Sequence, residues 1–316
     1  MEAVSEAIAN FRPELKESSL KQYVFQLKKI RRMFDEPDLE FLEIPEPVHE
    51  MVSTQGGHFT SQKNMYSAIV MYLKAINGDN EFATQITVYE TYRNELRDQY
   101  QAEQETGVIT DKQAKNFISV DEMKAFIKMM KKDIKDNPQL HMVYVMFEIL
   151  SRHPLRNDLA GMKYMTQSKY SKLSDELKVS RNYLVKTEGG FIIIDSDHKT
   201  AKTHGTIKIP IDKDTELAKI LRSYLRVLQY KGGDNVFPIT PNYMSQLLIK
   251  ASQKYIGKNI STTMIRKIVS SAKFLGAKED QLAHAQQLAH TVATENLIYV
   301  KKHQPKQPAK TKSPST

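Results

Sequence analysis

The chain has 316 residues, of which 40% are apolar and 26% charged, so it is long enough for two cores and too apolar to be disordered throughout. It contains no cysteine, which excludes disulfides, thiolate catalysis and cysteine-ligated zinc and is compatible with a reducing compartment. The 46 basic residues outnumber the 37 acidic ones by nine, a balance that favours a polyanionic partner.

The opening MEAVSEAIANF carries two acids and no early basic run, and it does not read as a secretory signal. From Ser18 to Phe34, Leu20, Tyr23, Leu27, Ile30 and Phe34 recur at helical spacing, with Lys21, Lys28, Lys29, Arg31 and Arg32 on the remaining surface. These five cations are either candidate nucleic-acid contacts of the front half or an ordinary solvated helix face. A second helix is expected to start near Thr60 or Ser61 and to run through Met65, Ile69, Tyr72 and Leu73, and a third to span Phe82 to Gln101. The polar stretch from Gln101 to Lys115, containing Gly107, reads as a linker.

A new helix is announced by Ser119 and Glu122, a capping-box pair flanked by Ile118 and Met123 as a hydrophobic staple. A buried helix is expected over Gln139 to Ser151. The most apolar stretch, Met142 to Leu150, is interrupted by Glu148 and is too short to cross a bilayer. The expectation is a soluble, intracellular protein with no membrane partner. Tyr183–Lys186, Gly190–Asp195 and Thr206–Ile211 are β-rich runs bounded by glycines, which predicts a small antiparallel sheet. Helices follow over Asp214 to Tyr230, Asn242 to Tyr255 and Thr262 to Phe274, and again near the end. The last segment, 300–316, holds five lysines and no acid among Pro, Ser and Thr, the composition of a disordered tail.

The sequence has no phosphate-binding glycine loop, HExxH or GxSxG, and its nine histidines fall in no metal-ligand spacing. No metal and no cofactor is therefore expected. What stands out is an ordered set of basic residues ending in a tyrosine. Arg156 lies in SRHPLRNDLAGMKY, where a turn opens a short helix. Lys199 and Lys202 lie in FIIIDSDHKTAKTHGTIKIPI, between two strands. Arg266 lies in NISTTMIRKIVSS near a helix start, and QLAHTVATENLIYVKK places Tyr299 nine residues after His290.

The order Arg, hairpin Lys, Arg, His, Tyr resembles the catalytic domain of tyrosine recombinases, the phage-type integrases, relatives in chemistry of type IB topoisomerases. The resemblance runs from Phe117 to Lys302. Its most specific piece is Leu-Ala-His followed at nine positions by Tyr, and the PLRND wording is similar to integrases of viruses and mobile elements in eukaryotes. It implies a mainly α fold: a helical core-binding domain over 1–105, a linker over 106–117, and a mostly helical catalytic domain with one small sheet over 118–302. A basic tail over 303–316 follows. It also implies a site-specific recombinase that cleaves and rejoins double-stranded DNA through a 3′-phosphotyrosyl intermediate at Tyr299. The two domains would clamp the duplex, and the working form would be a homo-tetramer acting at DNA, in the host nucleus or cytoplasm if viral. Type IB topoisomerase-like or resolvase activity, and a non-catalytic DNA-binding protein that kept the fold, are the alternatives.

The residue types suit that chemistry. Two arginines can grip both non-bridging oxygens of a phosphodiester and stay charged at any working pH. A phenol with pKa ~10 becomes a usable nucleophile beside them, and a lysine can protonate the leaving 5′-oxygen. Lys199 matches the family's Lys-Thr wording, whereas Lys202 has the better distance to Pro210, so both stand as candidates. On one straight helix a separation of nine residues is about 900° of rotation, which would put His290 and Tyr299 on opposite faces. The chain must turn between them, with Thr291 as a new N-cap. Two positions depart from the family. Thr263 stands where a histidine is usual, able to hydrogen-bond a phosphate but not to act as a base near neutral pH, and Asp158 follows Arg156 by two positions where three is usual.

Overall fold

The computed structural model describes residues 1–105 and 108–287, and the chain divides into two compact units, Met1–Ile109 and a second that begins at Thr110. The first unit is helical throughout: α1 (Glu2–Phe11), α2 (Glu17–Phe34), a 3-10 turn (Glu40–Glu43), α3 (Pro45–Gln55), α4 (Phe59–Ile76) and α5 (Ala83–Glu105). Helix α4 is its centre and packs against each of the other four helices, burying Met65, Ile69 and Leu73 with Ile8, Leu27, Ile30 and Val52. The apolar stripe read on α2 faces this core, and its last turn ends on Asp35 in the left-handed conformation. Buried Tyr89 donates its hydroxyl to the Leu42 carbonyl at 2.9 Å, tying α5 to the 3-10 turn.

Helix α4 starts earlier than Thr60. Its cap is His58, whose Nδ1 accepts from the Thr60 amide at 3.4 Å, so a ring nitrogen takes the place of the usual hydroxyl or carboxylate. Helix α5 continues past Gln101 to Glu105. Within the segment read as a linker, α6 (Asp111–Ala114) forms because Thr110 and Gln113 make a capping box.

The second unit continues with α7 (Val120–Met130), α8 (Pro138–Leu150), a 3-10 turn (Asn157–Leu159), β1 (Lys163–Thr166), α9 (Gln167–Ser171), α10 (Asp175–Val179), β2 (Tyr183–Thr187) and β3 (Gly190–Asp195). After these come α11 (Ala201–His204), β4 (Ile207–Asp212), α12 (Glu216–Val227), α13 (Pro241–Ile256) and α14 (Thr262–Gln287). The Ser119–Glu122 capping box closes the start of α7. Every residue of α8 from His141 to Leu150 is buried, because α7, α12 and α13 enclose it. Helix α12 sets Tyr224 edge-on to His141, 5.1 Å between centroids.

The sheet has the order β1-β2-β3-β4. The three predicted runs pair antiparallel, β2 with β3 and β3 with β4, and a fourth strand, β1, joins parallel to β2, which makes the sheet mixed. KYMT is too short and too weakly patterned to be read as a strand alone. Strands β2 and β3 are covered on both faces: Leu184, Phe191 and Ile193 meet the helices, while Tyr183, Val185 and Ile194 pack under Tyr170 and Leu173. That is why FIII is continuous rather than alternating. Strand β4, at the sheet's edge, carries Pro210, a residue that a central ladder would not tolerate.

The β2–β3 connection depends on one glycine. Gly190 has φ +134°, and a Cβ there would fall 2.1 Å from the Ile211 carbonyl oxygen on β4. Gly190→Ala is expected to destabilise the second unit by about 1–3 kcal/mol through backbone strain alone, more if β4 is displaced; thermal or denaturant unfolding measures it. Gly189, whose added Cβ would meet only the edge of Thr187 at 4.0 Å, is the matched control and should tolerate alanine far better.

Candidate functional site

A polar pocket of about 440 Å³ opens where the Arg156 turn meets the start of α14, lined by Arg156, Asn157, Asp158, Thr262, Thr263 and Arg266. Three of the residues singled out in the sequence, Arg156, Thr263 and Arg266, therefore share one cavity although 107 and 110 positions separate the latter two from the first.

The local structure explains the meeting. PLRND cannot continue α8, because Pro154 offers no amide and restricts the residue before it. The short helix read over LRNDLAGM is a single 3-10 turn with Arg156 at its cap. The side chain of Asn157 then fixes this turn. Its Nδ2 donates to the Pro241 carbonyl at 2.9 Å and to Ser245 Oγ at 3.1 Å, both on α13. Its Oδ1 accepts from the buried Thr262 hydroxyl at 2.6 Å on α14. Ser261 caps α14 by accepting from the Met264 amide at 3.3 Å, so Thr262 and Thr263 occupy the first turn and Arg266 lies one turn further on the pocket wall. First-turn amides have no intrahelical partner and carry the positive end of the helix dipole, which adds to the two guanidiniums.

A second amide ties in the sheet. Asn182 Oδ1 accepts from the Ser196 and Asp197 amides, each at 2.8 Å, and its Nδ2 donates to the Asp158 carbonyl at 3.0 Å and the Asp197 carbonyl at 3.2 Å. The exit of β3 is thus held against the Arg156 turn. The β3–β4 connection that follows is longer than a simple hairpin turn and contains α11. Lys199 precedes that helix and Lys202 lies in it, both exposed, and neither lines the pocket. Buried His198 closes this loop: its Nε2 donates to the Gly205 carbonyl at 2.9 Å, and its Nδ1 is 3.3 Å from the Thr200 hydroxyl.

Charge is unevenly balanced here. Burial first, then the Arg156 guanidinium, lowers the pKa of Arg266, opposed by Asp158; as a guanidinium it stays cationic at any working pH. Burial raises the Asp158 carboxyl, against the Arg156 amide, the charges of Arg156 and Arg266 and that of His198. Asp195, at the end of β3, is only 2% exposed and its Oδ1 has no hydrogen-bond partner among the described residues. Burial first, then the nearby Asp158 charge, pushes its pKa up to about 6.

His290 and Tyr299 lie outside the described residues, as does Thr291. The front-half cations lie on α2 in the other unit. There Lys21 pairs with Glu17 at 2.6 Å and Arg31 donates to the Pro37 carbonyl at 3.2 Å. Lys28, Lys29 and Arg32 have no ion-pair partner among the described residues. Among those residues no helix is long and apolar enough to cross a membrane, and no three His, Asp or Glu side chains converge as a metal cluster. Asn157, Asn182, Asp195 and His198 were not found from sequence. Their types are common, and their partners lie far along the chain or in backbone groups that no motif marks.

No protein-family model and no curated protein matches the chain. Among solved structures it is similar to the crystal structure of XerA recombinase at a TM-score of 0.34 and 16% identity, over 95% of this chain and 94% of that one.

Two outcomes test this arrangement. Asn157→Ala leaves the buried Thr262 hydroxyl and the Pro241 carbonyl without their partner, and is expected to cost about 1–3 kcal/mol in unfolding experiments. For Asp195, the folded pKa of about 6 lies above the ordinary 3.8. Its carboxyl is neutral in both states at low pH, and stability falls as pH rises through that window because only the unfolded state ionises freely. Asp195→Asn should remove this fall and gain roughly 2 to 3 kcal/mol at neutral pH, read as Tm against pH relative to the parent chain; a difference that does not change between about pH 4 and about pH 7 contradicts the assignment.

Proposed function

We propose that the chain is a tyrosine-type DNA strand-transfer enzyme, a site-specific recombinase in which Arg156 and Arg266 hold the phosphate that Tyr299 attacks. The observation that carries this reading is the pocket itself, with two guanidiniums and the start of α14 facing one polar cavity. A phosphodiester in that cavity meets donors for both non-bridging oxygens, and the charge that grows on them in the pentacoordinate transition state is stabilised where it forms. Thr263, exposed on the pocket wall, supplies a neutral hydroxyl donor to the same group. The order of residues along the chain supplies the rest: His290 ahead of Tyr299, and a lysine in the β3–β4 connection, Lys199 or Lys202, to protonate the leaving 5′-oxygen. The phenolic oxygen forms the bond to phosphorus as the bond to the 5′-oxygen breaks. A 5′-hydroxyl of another strand reverses the step and releases the tyrosine, so the phosphodiester energy is retained and no nucleotide is consumed. The partner is double-stranded DNA, and a homo-tetramer on two sites is the working form proposed.

One observation favours a second reading. Thr263 offers no titratable group where a histidine would serve, which is the pattern expected of a DNA-binding protein that kept the arginine pocket without turnover.

A nicked suicide duplex separates the two. Strand transfer predicts a covalent protein–DNA adduct, absent in Tyr299→Phe and reduced about 10²–10³-fold in Arg156→Ala or Arg266→Ala. Tight binding with no adduct on any duplex establishes the non-catalytic reading, and relaxed plasmid without joined duplexes would assign topoisomerase chemistry. The lysine is identified with a 5′-bridging sulfur in place of oxygen. Sulfur leaves without a proton, so the substitution should restore cleavage to whichever of Lys199→Ala and Lys202→Ala removes the acid.

A further inference from the structure

The second unit carries another cationic cavity, served by the opposite end of β3. Asp195, beside the arginine pocket, closes that strand and Phe191 stands near its start, roughly 13 Å away along the strand. There a hollow of about 530 Å³ is lined by Lys186 of β2, by Lys219, Arg222 and Arg226 of α12, and by the rings of Tyr164 and Tyr230. No acidic residue lines it.

The cations on α12 follow from its amphipathic pattern. Leu217, Ile220, Leu221 and Tyr224 are buried, so positions 219, 222, 223 and 226 fall together on the outer face, at the spacing where helical side chains are neighbours. Such a face normally alternates in sign. Here it reads Lys, Arg, Ser, Arg, and none of its three cations, nor Lys186, has an ion-pair partner among the described residues. The acid at the start of α12, Glu216, is taken by Lys131 at 3.4 Å. Among the described residues Arg222 makes one hydrogen bond, to the Lys213 carbonyl at 2.8 Å; an adjoining hollow shares Lys186, Phe191 and Arg222 and holds the acids Glu188 and Asp214, and Asp234 lies near Tyr230. Four like charges around one cavity repel one another, a cost relieved by a bound anion.

The rings narrow the choice of anion. Tyr230 is fixed by its hydroxyl bond to the Val236 carbonyl at 2.8 Å, and Tyr164 is half-buried at the β1 end of the cavity. Cations in a line beside fixed aromatic surface are what a nucleic-acid strand requires, with phosphates on the charges and a base against a ring. From Lys219 to Arg226 the line is about 10 Å long at ~1.5 Å per residue, long enough to meet more than one phosphate of a strand. A duplex keeps its bases stacked inside and offers no ring to Tyr164.

We propose that this hollow binds single-stranded nucleic acid, with phosphates on Lys186, Lys219, Arg222 and Arg226 and a base against Tyr164. The site stands on its own lining and does not depend on strand-transfer chemistry at the arginine pocket.

The test is binding of a fluorescently labelled deoxythymidine strand to the full chain across a series of salt concentrations. Lys219→Glu/Arg226→Glu, two exposed positions on a solvent face, should weaken binding about tenfold or more and lower the salt slope by about 1.4, at ~0.7 for each phosphate no longer neutralised. Lys219→Gln/Arg226→Gln should weaken it less with the same change in slope, and its unfolding curve confirms an intact fold. Tyr164→Leu should weaken binding about fivefold or more with the slope unchanged. Arg156→Ala/Arg266→Ala should retain the strand. Binding that survives both double substitutions on α12, or that disappears with Arg156 and Arg266, overturns the proposal. So does polyglutamate that displaces the strand at equal charge, which would mark an acidic-peptide surface, or thymidine monophosphate that binds as tightly as the strand, which would mark a nucleotide pocket.

Discussion

The carboxamide of Asn157 is the contact on which the candidate site depends. Two guanidiniums repel, and nothing in their own chemistry brings Arg156 and Arg266 to one cavity. They are held there because one short, rigid side chain bonds α13 through Pro241 and Ser245 and α14 through Thr262, groups 84 to 105 positions away in sequence. A carboxamide suits this junction because it donates and accepts at once and carries no charge of its own to be desolvated. Asn182 does the same work toward the sheet, holding the exit of β3 to the carbonyl of Asp158. The pocket is therefore a meeting point of a turn, two helix starts and a strand end, positioned by neutral amides and coloured by cations.

Strand β3 connects this meeting point to the rest of the second unit. It is buried on both faces and paired on both edges, so it is the most enclosed part of the sheet. At one end, past Asp195, its exit is held to the Asp158 carbonyl by Asn182 before the lysine-bearing connection, which stays outside the pocket lining, and at the other Phe191 borders the basic hollow. Displacing β4, as a Cβ at Gly190 would require, acts on the lysine connection through the same pairing that fixes Ile193 opposite Ile209. Charge follows a similar economy. Buried Asp195 and half-buried Asp158 temper the arginines from within, while the α12 face is left uncompensated at the surface.

Much of this was legible in the amino-acid order because it is set by local rules. The stripe on α2, the Ser119 capping box, the largely apolar run of α8 and the three antiparallel strands all follow from hydrophobic pattern and from hydroxyls placed at helix starts, interactions made within a few residues. Where the bond came from a less expected group or from a distant segment, the boundary differs: His58 in place of Thr60, Thr110 with Gln113 inside a stretch that looked like a linker, and β1, which is held by β2 on one side and by the segment around Asn235 on the other.

The sequence by itself determined the residue types of the candidate site and their order: Arg156, the lysines at 199 and 202, Thr263 and Arg266, with His290 and Tyr299 beyond the described residues. Proximity was decided by the tertiary structure alone, which places Arg156, Thr263 and Arg266 on one cavity and leaves Lys199 and Lys202 on an exposed connection outside its lining. The reason is physical. Order along the chain records which groups are available, whereas distance between segments a hundred positions apart is fixed by packing around α8 and by the bonds of two side-chain amides, and neither leaves a periodic trace in the sequence.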